Sequence, residues 1–237
     1  MEKEMKIKNG KYNIYGVLNT SNNKNDLIIF IHGLGGHANE HQFYNAARYF
    51  TKKGFNTFRI SLYPGKKDSR TLIDSTIATH ARDLEKVVDH FSKKFKSIYV
   101  VGHSIGGLTI LKSRLDNVRR AVLWDPSLKL RKFTDEMATY DKRLDMYIMH
   151  WGTDILVPKA MVEEWSSTDT TFLKRFVIPV KIIFASKGIL KKIWGDELKN
   201  IKVQKSIATI DGASHCFDEE DTEDRLFKET LKWIKRV

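Results

Sequence analysis

Residues 97–111 have the sequence SIYVVGHSIGGLTIL, in which an apolar run leads directly into a serine flanked by glycines. The run 98–101 is rich in β-branched and aromatic residues, which predicts a buried strand. After Ser104, Leu108 and Leu111 stand at helical spacing, which predicts a helix that begins beside the serine. A strand, a sharp turn and a helix are therefore expected to meet at Ser104.

The glycines around Ser104 make so sharp a turn possible. Gly102 and Gly106 stand two residues before and two residues after the serine, in the pattern Gly-x-Ser-x-Gly. A serine on a strained strand-to-helix turn needs these neighbours to lack a Cβ, because a side chain there would clash with the strand or the helix. The helix dipole and its free N–H groups then point at the serine oxygen. This arrangement is typical of a nucleophile elbow, at which an oxyanion is stabilised.

The segments on both sides of this motif alternate between strand and helix patterns. Residues 6–8 and 12–18, joined by Asn9-Gly10, predict an antiparallel hairpin. Strand–helix alternation of this kind predicts a doubly wound α/β sheet. The predicted buried strands are 27–31, 56–60, 97–101, 120–124, 180–184 and 205–210, and the predicted helices outside the elbow are 39–53, 73–95 and about 221–236.

One long segment, residues 126–178, interrupts the alternation and is too long for a simple crossover. We interpret it as a small helical lid inserted after the sixth strand, with residues 1–125 and 179–237 forming the core. Apolar spacing predicts helices around 144–151 and 161–165. Its methionines and aromatic residues suit either a pliable acyl pocket or simple burial of the lid against the core.

Two further loops carry residues suited to acyl transfer. The loop HGLGG, residues 32–36, directly follows the strand predicted at 27–31, and its glycines let backbone N–H groups approach a ligand. We predict that the N–H groups of Leu34 and Ile105 form an oxyanion hole. His215 lies between the last predicted strand and the last predicted helix, where it can reach Ser104 as a general base.

The HGLGG loop, the GHSIGG elbow and the late histidine together resemble the α/β-hydrolase superfamily over essentially the whole chain. The nearest resemblance is to small lidded esterases and lipases of the monoacylglycerol-lipase type. That resemblance implies an eight-stranded, mostly parallel sheet with antiparallel first strands, and a carboxylic ester hydrolase activity. It does not identify the ester.

The acid of a Ser–His–acid triad is where the chain departs from this pattern. Such relatives usually carry an aspartate just after the seventh strand, and this chain has Gly188 there. Asp125, at the end of the sixth predicted strand, is the first candidate for the acid, and Asp196 is the alternative. A Ser104–His215 dyad without an acid is the third possibility.

Composition sets the broad class of the protein. Hydrophobic residues make up 41% and charged residues 30%, an ordinary globular balance. No apolar run approaches the roughly 18 residues that a membrane span needs. The charged N-terminus lacks a signal-peptide pattern, and the single cysteine, Cys216, cannot form an intrachain disulfide. We therefore expect a soluble, cytoplasmic protein.

Several other classes of site are not expected. The formal charge of +12 comes with basic residues scattered in short pairs, which favours a solvated surface over nucleic-acid binding. His37 and His41 have metal-like spacing but lack an HExxH motif and a third ligand, so no metal is predicted. No nucleotide-binding fingerprint is present, so no cofactor is predicted. Cys216, beside His215, is interpreted as a small wall residue.

The sequence thus predicts a serine hydrolase that cleaves small-molecule carboxylic esters of small to medium acyl groups through an acyl-enzyme. A thioesterase, an amidase or a carbon–carbon hydrolase would use the same residues. The alternative from another class is a non-catalytic, hydrolase-like protein that binds a small ligand, for which the missing acid at Gly188 is the main argument. The sequence does not indicate an oligomeric state.

Overall fold

The computed structural model describes residues 1–23, 25–130, 137–151 and 153–236 of the chain. Eight strands form the main sheet, in the spatial order β1-β2-β4-β3-β5-β6-β10-β11, and three more form a separate small sheet in the order β7-β8-β9. The strands are β1 (Glu2–Asn9), β2 (Tyr12–Asn19), β3 (Asp26–Ile31), β4 (Asn56–Ser61), β5 (Ser97–His103), β6 (Val118–Trp124), β7 (Ala138–Asp141), β8 (Met146–Trp151), β9 (Thr153–Pro158), β10 (Val180–Ala185) and β11 (Lys205–Ile210).

The main sheet is parallel from β4 to β11 and antiparallel at its first edge. β2 pairs antiparallel with both β1 and β4, whereas all other neighbours in the sheet pair in parallel. The β1–β2 hairpin turns at Gly10, which has a φ of 59°, a conformation that glycine adopts without steric cost. The predicted eight-stranded, mostly parallel sheet is confirmed.

Helices cover both faces of this sheet. They are α1 (His41–Lys52), α2 (Ile77–Ser92), α3 (Ile105–Lys112), α4 (Lys159–Ser166), α5 (Leu190–Trp194) and α6 (Thr222–Ile234). Neighbouring residues of one strand supply the two opposite cores, because side chains of a strand alternate between its faces. In β3, Ile29 belongs to the core beside α2 and α3, and Phe30 belongs to the core beside α1 and α6. Within the described ranges, no helix is long and apolar enough to cross a membrane.

The described part of the segment between β6 and β10 is only partly helical, so the expected helical lid is wrong over residues 144–151. Residues 131–136 and 152 of the predicted lid lie outside the described residues. Those residues contribute β8 to a three-stranded antiparallel sheet with β7 and β9. The helix predicted around 161–165 is present as α4, and a 3₁₀ turn follows at Thr170–Arg175. The apolar residues in 144–151 have the spacing expected of a helix, but the aromatic and β-branched residues of this segment also favour a strand. Strand pairing on both sides of β8 decides between the two.

Candidate active site

Ser104 sits between the end of β5 and the start of α3. Its φ is 54° and its ψ is −122°, a strained conformation for a residue with a side chain. A Cβ added to Gly102 would lie 2.5 Å from the carbonyl oxygen of Gly106, and one added to Gly106 would lie 2.4 Å from the carbonyl oxygen of Ile31. Both contacts are far inside van der Waals distance. Only glycine therefore fits at either position, and the strand–turn–helix predicted at Ser104 is present.

The backbone around Ser104 is tied to the loop that follows β6. The Ser104 N–H donates to the carbonyl of Trp124 at 3.0 Å, and the Ser127 N–H donates to the carbonyl of Ser104 at 3.0 Å. The hydroxyl of buried Ser127 also lies 3.3 Å from the Ser104 hydroxyl. Among the described residues, Ser127 is the hydrogen-bond partner of the Ser104 hydroxyl. The Ser104 hydroxyl makes no hydrogen bond to His215 there. Bonds between catalytic groups often form only once substrate is bound.

His215 is hydrogen-bonded to Asp125. The Nδ1 of His215 lies 2.7 Å from the Oδ2 of Asp125, and the other carboxylate oxygen accepts the Ala185 N–H at 3.1 Å. An ionised carboxylate only accepts hydrogen bonds, so the shared proton belongs to Nδ1 and leaves Nε2 free to accept one. Asp125 is fully buried, while the His215 side chain is 41% exposed. This is the geometry in which an acid orients a histidine for use as a base.

The other candidate acid, Asp196, lies elsewhere. Its side chain is 94% exposed and pairs with Lys199 at 3.8 Å. The reason is the preceding α5 helix, whose buried Trp194 donates its indole N–H to the carbonyl of Pro126 at 2.7 Å. That anchor is followed at once by a 3₁₀ turn, Gly195–Asn200, that carries Asp196 into solvent. The carboxylate that the structure brings to His215 is that of Asp125.

Gly188 lies beside the same carboxylate. A Cβ added to Gly188 would lie 3.2 Å from Oδ2 of Asp125. β6 and β10 are parallel neighbours, with Trp124 opposite Ile183, so the loops after both strands begin at the same edge of the sheet. An acid borne on either loop can therefore reach the same place beside His215.

The glycine-rich loop after β3 faces the serine. A Cβ added to Gly33 would lie 3.2 Å from the Cβ of Ser104. Residues 33–36 form a turn in which the Gly36 N–H donates to the Gly33 carbonyl at 3.2 Å, and Gly35 has a φ of 72°. Within the described residues, no acceptor takes the Leu34 N–H. Ile105 begins α3, where first-turn N–H groups have no partner within the helix.

His103 links the elbow to His215, a contact that the sequence analysis missed. It is buried, its Nε2 lies 2.8 Å from the His215 carbonyl oxygen, and the two rings lie 4.6 Å apart. Burial lowers the pKa of His103 to about 3. His103 is therefore neutral near pH 7 and donates from Nε2 to that carbonyl. The only sequence signal for this role is its place next to Ser104.

The sequence predicts no metal-binding or catalytic role for His37, His41 and Cys216. His41 pairs with Asp218 at 2.8 Å, and the Nδ1 of His37 accepts the Asn39 N–H at 3.0 Å. No three His, Cys, Asp or Glu side chains in the described ranges are placed to hold a metal ion. Burial, with the nearby carboxylates of Asp218 and Glu40, raises the pKa of the Cys216 thiol. A protonated thiol is a weak nucleophile.

The segment between β6 and β10 packs directly over the loop and the elbow. Ile105 and Leu108 of α3 share one apolar cluster with Met149, Met161 and Trp165. Ile155 of β9 also touches the glycine-rich loop, because a Cβ added to Gly35 would lie 3.0 Å from its Cδ1. Side chains of this segment therefore cover Leu34 and Ile105, the two residues of the predicted oxyanion hole.

A family model described as the alpha/beta hydrolase fold matches residues 26–147, just over half of the chain. The chain belongs to the α/β-hydrolase family. No curated protein matches its sequence. Solved structures also match this α/β hydrolase. The three described next are 15–21% identical to it, so they show a shared fold alone.

Three of those structures illustrate the likeness. Est1E from Butyrivibrio proteoclasticus with bound ferulic acid is 21% identical, with a TM-score of 0.79 over 98% of this chain and 100% of that one. A dienelactone hydrolase from Anabaena variabilis is 16% identical, with a TM-score of 0.74 over 99% and 96%. A monoacylglycerol lipase from Paleococcus ferrophilus is 15% identical, with a TM-score of 0.70 over 93% and 98%.

Proposed function

We propose that this α/β hydrolase is a serine esterase that cleaves carboxylic esters of small to medium acyl groups through an acyl-enzyme. The observation that carries the proposal is the 2.7 Å bond between His215 and buried Asp125, next to the strained turn that presents Ser104. A strained serine, an oriented histidine and a free backbone N–H at Leu34 meet at one edge of the sheet. These are the parts that acyl transfer requires.

The reaction begins at Ser104. The Nε2 of His215 takes the hydroxyl proton as the Ser104 oxygen attacks the ester carbonyl carbon, and the carbonyl π electrons move onto its oxygen. The N–H groups of Leu34 and Ile105 hold that oxyanion. When the tetrahedral intermediate collapses, the bond to the alcohol oxygen breaks and His215 protonates the leaving alcohol. His215 then removes a proton from water as the water oxygen attacks the acyl carbon. The bond between that carbon and the Ser104 oxygen breaks, His215 returns the proton to the Ser104 oxygen, and the acid is released.

Asp125 serves this cycle without itself changing protonation. By accepting from Nδ1–H it keeps Nε2 free for the serine proton, and its negative charge stabilises the imidazolium that forms. The second bond, from the Ala185 N–H, holds the carboxylate in place. The absence of an acid at Gly188 therefore does not favour a non-catalytic protein, because Asp125 fills the same place.

The acyl size is proposed from the segment that covers the site. Met149, Met161 and Trp165 lie against the start of α3, and flexible thioethers adapt readily to apolar ligands. Two structural neighbours support ester chemistry in this fold, since one is a monoacylglycerol lipase and another, Est1E, holds ferulic acid. A thioesterase, an amidase or a carbon–carbon hydrolase would share Ser104 and His215, so the leaving group must be tested directly.

The test is hydrolysis of p-nitrophenyl esters of increasing acyl length, together with labelling by a fluorophosphonate probe read by mass spectrometry. We expect turnover, an optimum at short to medium chains and an adduct on Ser104. Ser104→Ala should lose both turnover and adduct, whereas Ser92→Ala, at the end of α2, should keep both. Parallel thioester and anilide substrates separate the alternatives in bond type.

Two results would contradict the proposal. Turnover that survives in Ser104→Ala would exclude Ser104 as the nucleophile. Neither turnover nor adduct in the folded wild-type protein would favour the non-catalytic, ligand-binding alternative.

A further inference from the structure

The carbonyl oxygen of Gly33 accepts hydrogen bonds from three donors. The Nδ1 of His32 lies 2.8 Å away, the Tyr63 hydroxyl 3.1 Å away and the Gly36 N–H 3.2 Å away. A carbonyl oxygen has two lone pairs, so three donors around one oxygen hold it from several directions. Two of the three come from side chains that the proposed mechanism does not use.

The contacts of His32 determine which of its nitrogens carries the proton. The Leu62 backbone N–H donates to the Nε2 of His32 at 3.0 Å, so Nε2 must present a lone pair. Nδ1 then carries the hydrogen and donates to the Gly33 carbonyl. Burial lowers the pKa of His32 to about 4, so this neutral tautomer persists near pH 7.

The side chain of Tyr63 is held in place by two neighbouring rings. Its ring meets the ring of His32 edge to face at 5.1 Å and lies 5.8 Å from the ring of fully buried His80. Burial raises the pKa of Tyr63, which keeps its hydroxyl protonated and able to donate. The packed rings hold the phenol oxygen in place, 3.1 Å from the Gly33 carbonyl oxygen.

Fixing this carbonyl also fixes the Leu34 N–H, because both belong to one peptide group. The described residues contain no cis peptide bond, and in a planar trans peptide the C=O and the N–H point in opposite directions. A carbonyl drawn toward His32 and Tyr63 therefore turns the N–H of Leu34 the other way. Gly33 lies against the Cβ of Ser104, so the peptide is beside the reacting centre.

We propose that Tyr63 and His32 are positioning residues, which clamp the Gly33 carbonyl and thereby aim the Leu34 N–H at the developing oxyanion. The inference rests on the proposed serine esterase activity and deepens it. A preorganised donor stabilises the transition state without reorienting during the reaction. The clamp acts on the transition state more than on the bound substrate, so it affects kcat more than KM.

The experiment compares Tyr63→Phe with Tyr15→Phe. Tyr63→Phe removes one oxygen and keeps the ring contacts with His32 and His80. Tyr15→Phe removes a hydroxyl that donates to Asp68, on the exposed side of the β1–β2 hairpin, and serves as the matched control. We expect Tyr63→Phe to lower kcat about tenfold with KM unchanged, a fraction of the 10²–10³ that one oxyanion donor contributes. Tyr15→Phe should leave kcat unchanged.

A second readout reports on the oxyanion hole itself. Thionoesters place a sulfur where the ester has its carbonyl oxygen, and sulfur is a weak hydrogen-bond acceptor. The preference of the wild type for the ester over the matching thionoester should shrink about tenfold in Tyr63→Phe. A trifluoromethyl ketone, which forms a tetrahedral adduct with the serine, should lose affinity by the same factor. A loss of packing alone would change neither the preference for the ester over the thionoester nor the affinity for the ketone.

A double-mutant cycle tests whether Tyr63 acts through Leu34. Leu34→Pro deletes the N–H at the second position of the Gly33–Gly36 turn, a position where proline is favoured. In that background Tyr63→Phe should have no further effect on kcat, because there is no N–H left to aim.

The outcomes separate the inference from the function on which it rests. Absence of turnover in the wild type would remove the proposed esterase. Turnover in the wild type with an unchanged kcat and thionoester ratio in folded Tyr63→Phe would overturn the clamp. Effects of Tyr63→Phe that simply multiply with those of Leu34→Pro would also overturn it.

Discussion

The loops after β6 and β10 begin side by side, yet only one of them carries a carboxylate toward His215. Asp125 follows β6 directly, whereas the corresponding loop after β10 has Gly188, whose Cβ would lie 3.2 Å from that carboxylate. Parallel neighbouring strands deliver their following loops to one edge, so a site at that edge can draw its acid from either. A carboxylate can therefore act on His215 because of its position in space, whichever of the two loops carries it.

The largest expected effect comes from neutralising the acid on the β6 loop. Asp125→Asn keeps the shape of the side chain but can place an amide N–H against Nδ1, which stabilises the wrong tautomer of His215. We expect kcat on a p-nitrophenyl ester to fall by roughly 10³–10⁴. Asp196→Asn, on the exposed 3₁₀ turn, is the matched control and should leave kcat unchanged. A reversed ranking of the two variants would assign the acid to Asp196.

The next effect concerns the stability of the fold in acid, which depends on three buried histidines. Burial lowers the pKa values of His32, His80 and His103 to about 4, 3 and 3, against 6.5 for an exposed histidine. The unfolded chain thus binds more protons below pH 6.5. The free energy of unfolding should be level above that pH and fall by up to about 4 kcal/mol per pH unit between pH 6 and 4.

Urea unfolding across this pH range measures that slope. Asp125→Asn should retain it, so loss of activity by that variant at pH 7 can be told apart from loss of fold. His80→Leu, which removes a ring whose nitrogens have no hydrogen-bond partner within the described residues, should flatten the slope by about a third. An unchanged slope in His80→Leu would mean that His80 is protonated in the folded protein.

Moving the acid from one loop to the other tests the comparison most directly. In Asp125→Ser/Gly188→Asp the carboxylate is placed on the β10 loop, and Gly188 does not have a left-handed φ that would oppose a side chain. We expect kcat to recover about 10–100-fold over Asp125→Ser alone, since the transplanted group lacks the bond from Ala185. Asp125→Ser/Gly188→Asn is the control for size. Equal rates in the two double variants would contradict the shared position.

The smallest effect should come from a bare methyl group at the second loop. The Cβ of Gly188→Ala would press on the Asp125 carboxylate at 3.2 Å without adding charge. A shift of a few tenths of an ångström in the carboxylate relieves the contact, so we expect kcat to fall no more than about threefold, with little change in stability. A loss as large as that of Asp125→Asn would show that the carboxylate cannot move at all.

Much of this protein is predictable from its sequence because the deciding interactions are local. The strands at 27–31, 97–101 and 180–184 and the turn at Ser104 follow from apolar runs and from glycines at fixed offsets, which act over a few residues. The segment 144–151 is different. Its apolar spacing suits a helix and its residue types suit a strand, and pairing with β7 and β9, formed by residues on either side, makes it a strand.

The sequence by itself determined the strand-to-helix elbow at Ser104, the glycine-rich loop, and which segments of the chain form the strands of the main sheet. Only the tertiary structure decided which carboxylate meets His215, because that depends on the pairing of β6 with β10 and on Trp194 anchoring the chain before Asp196. It also decided that His32 and Tyr63 converge on the Gly33 carbonyl. Apart from the contact between His32 and its neighbour Gly33, these contacts join residues 30 to 90 positions apart. At such separations local sequence preferences carry no information about geometry.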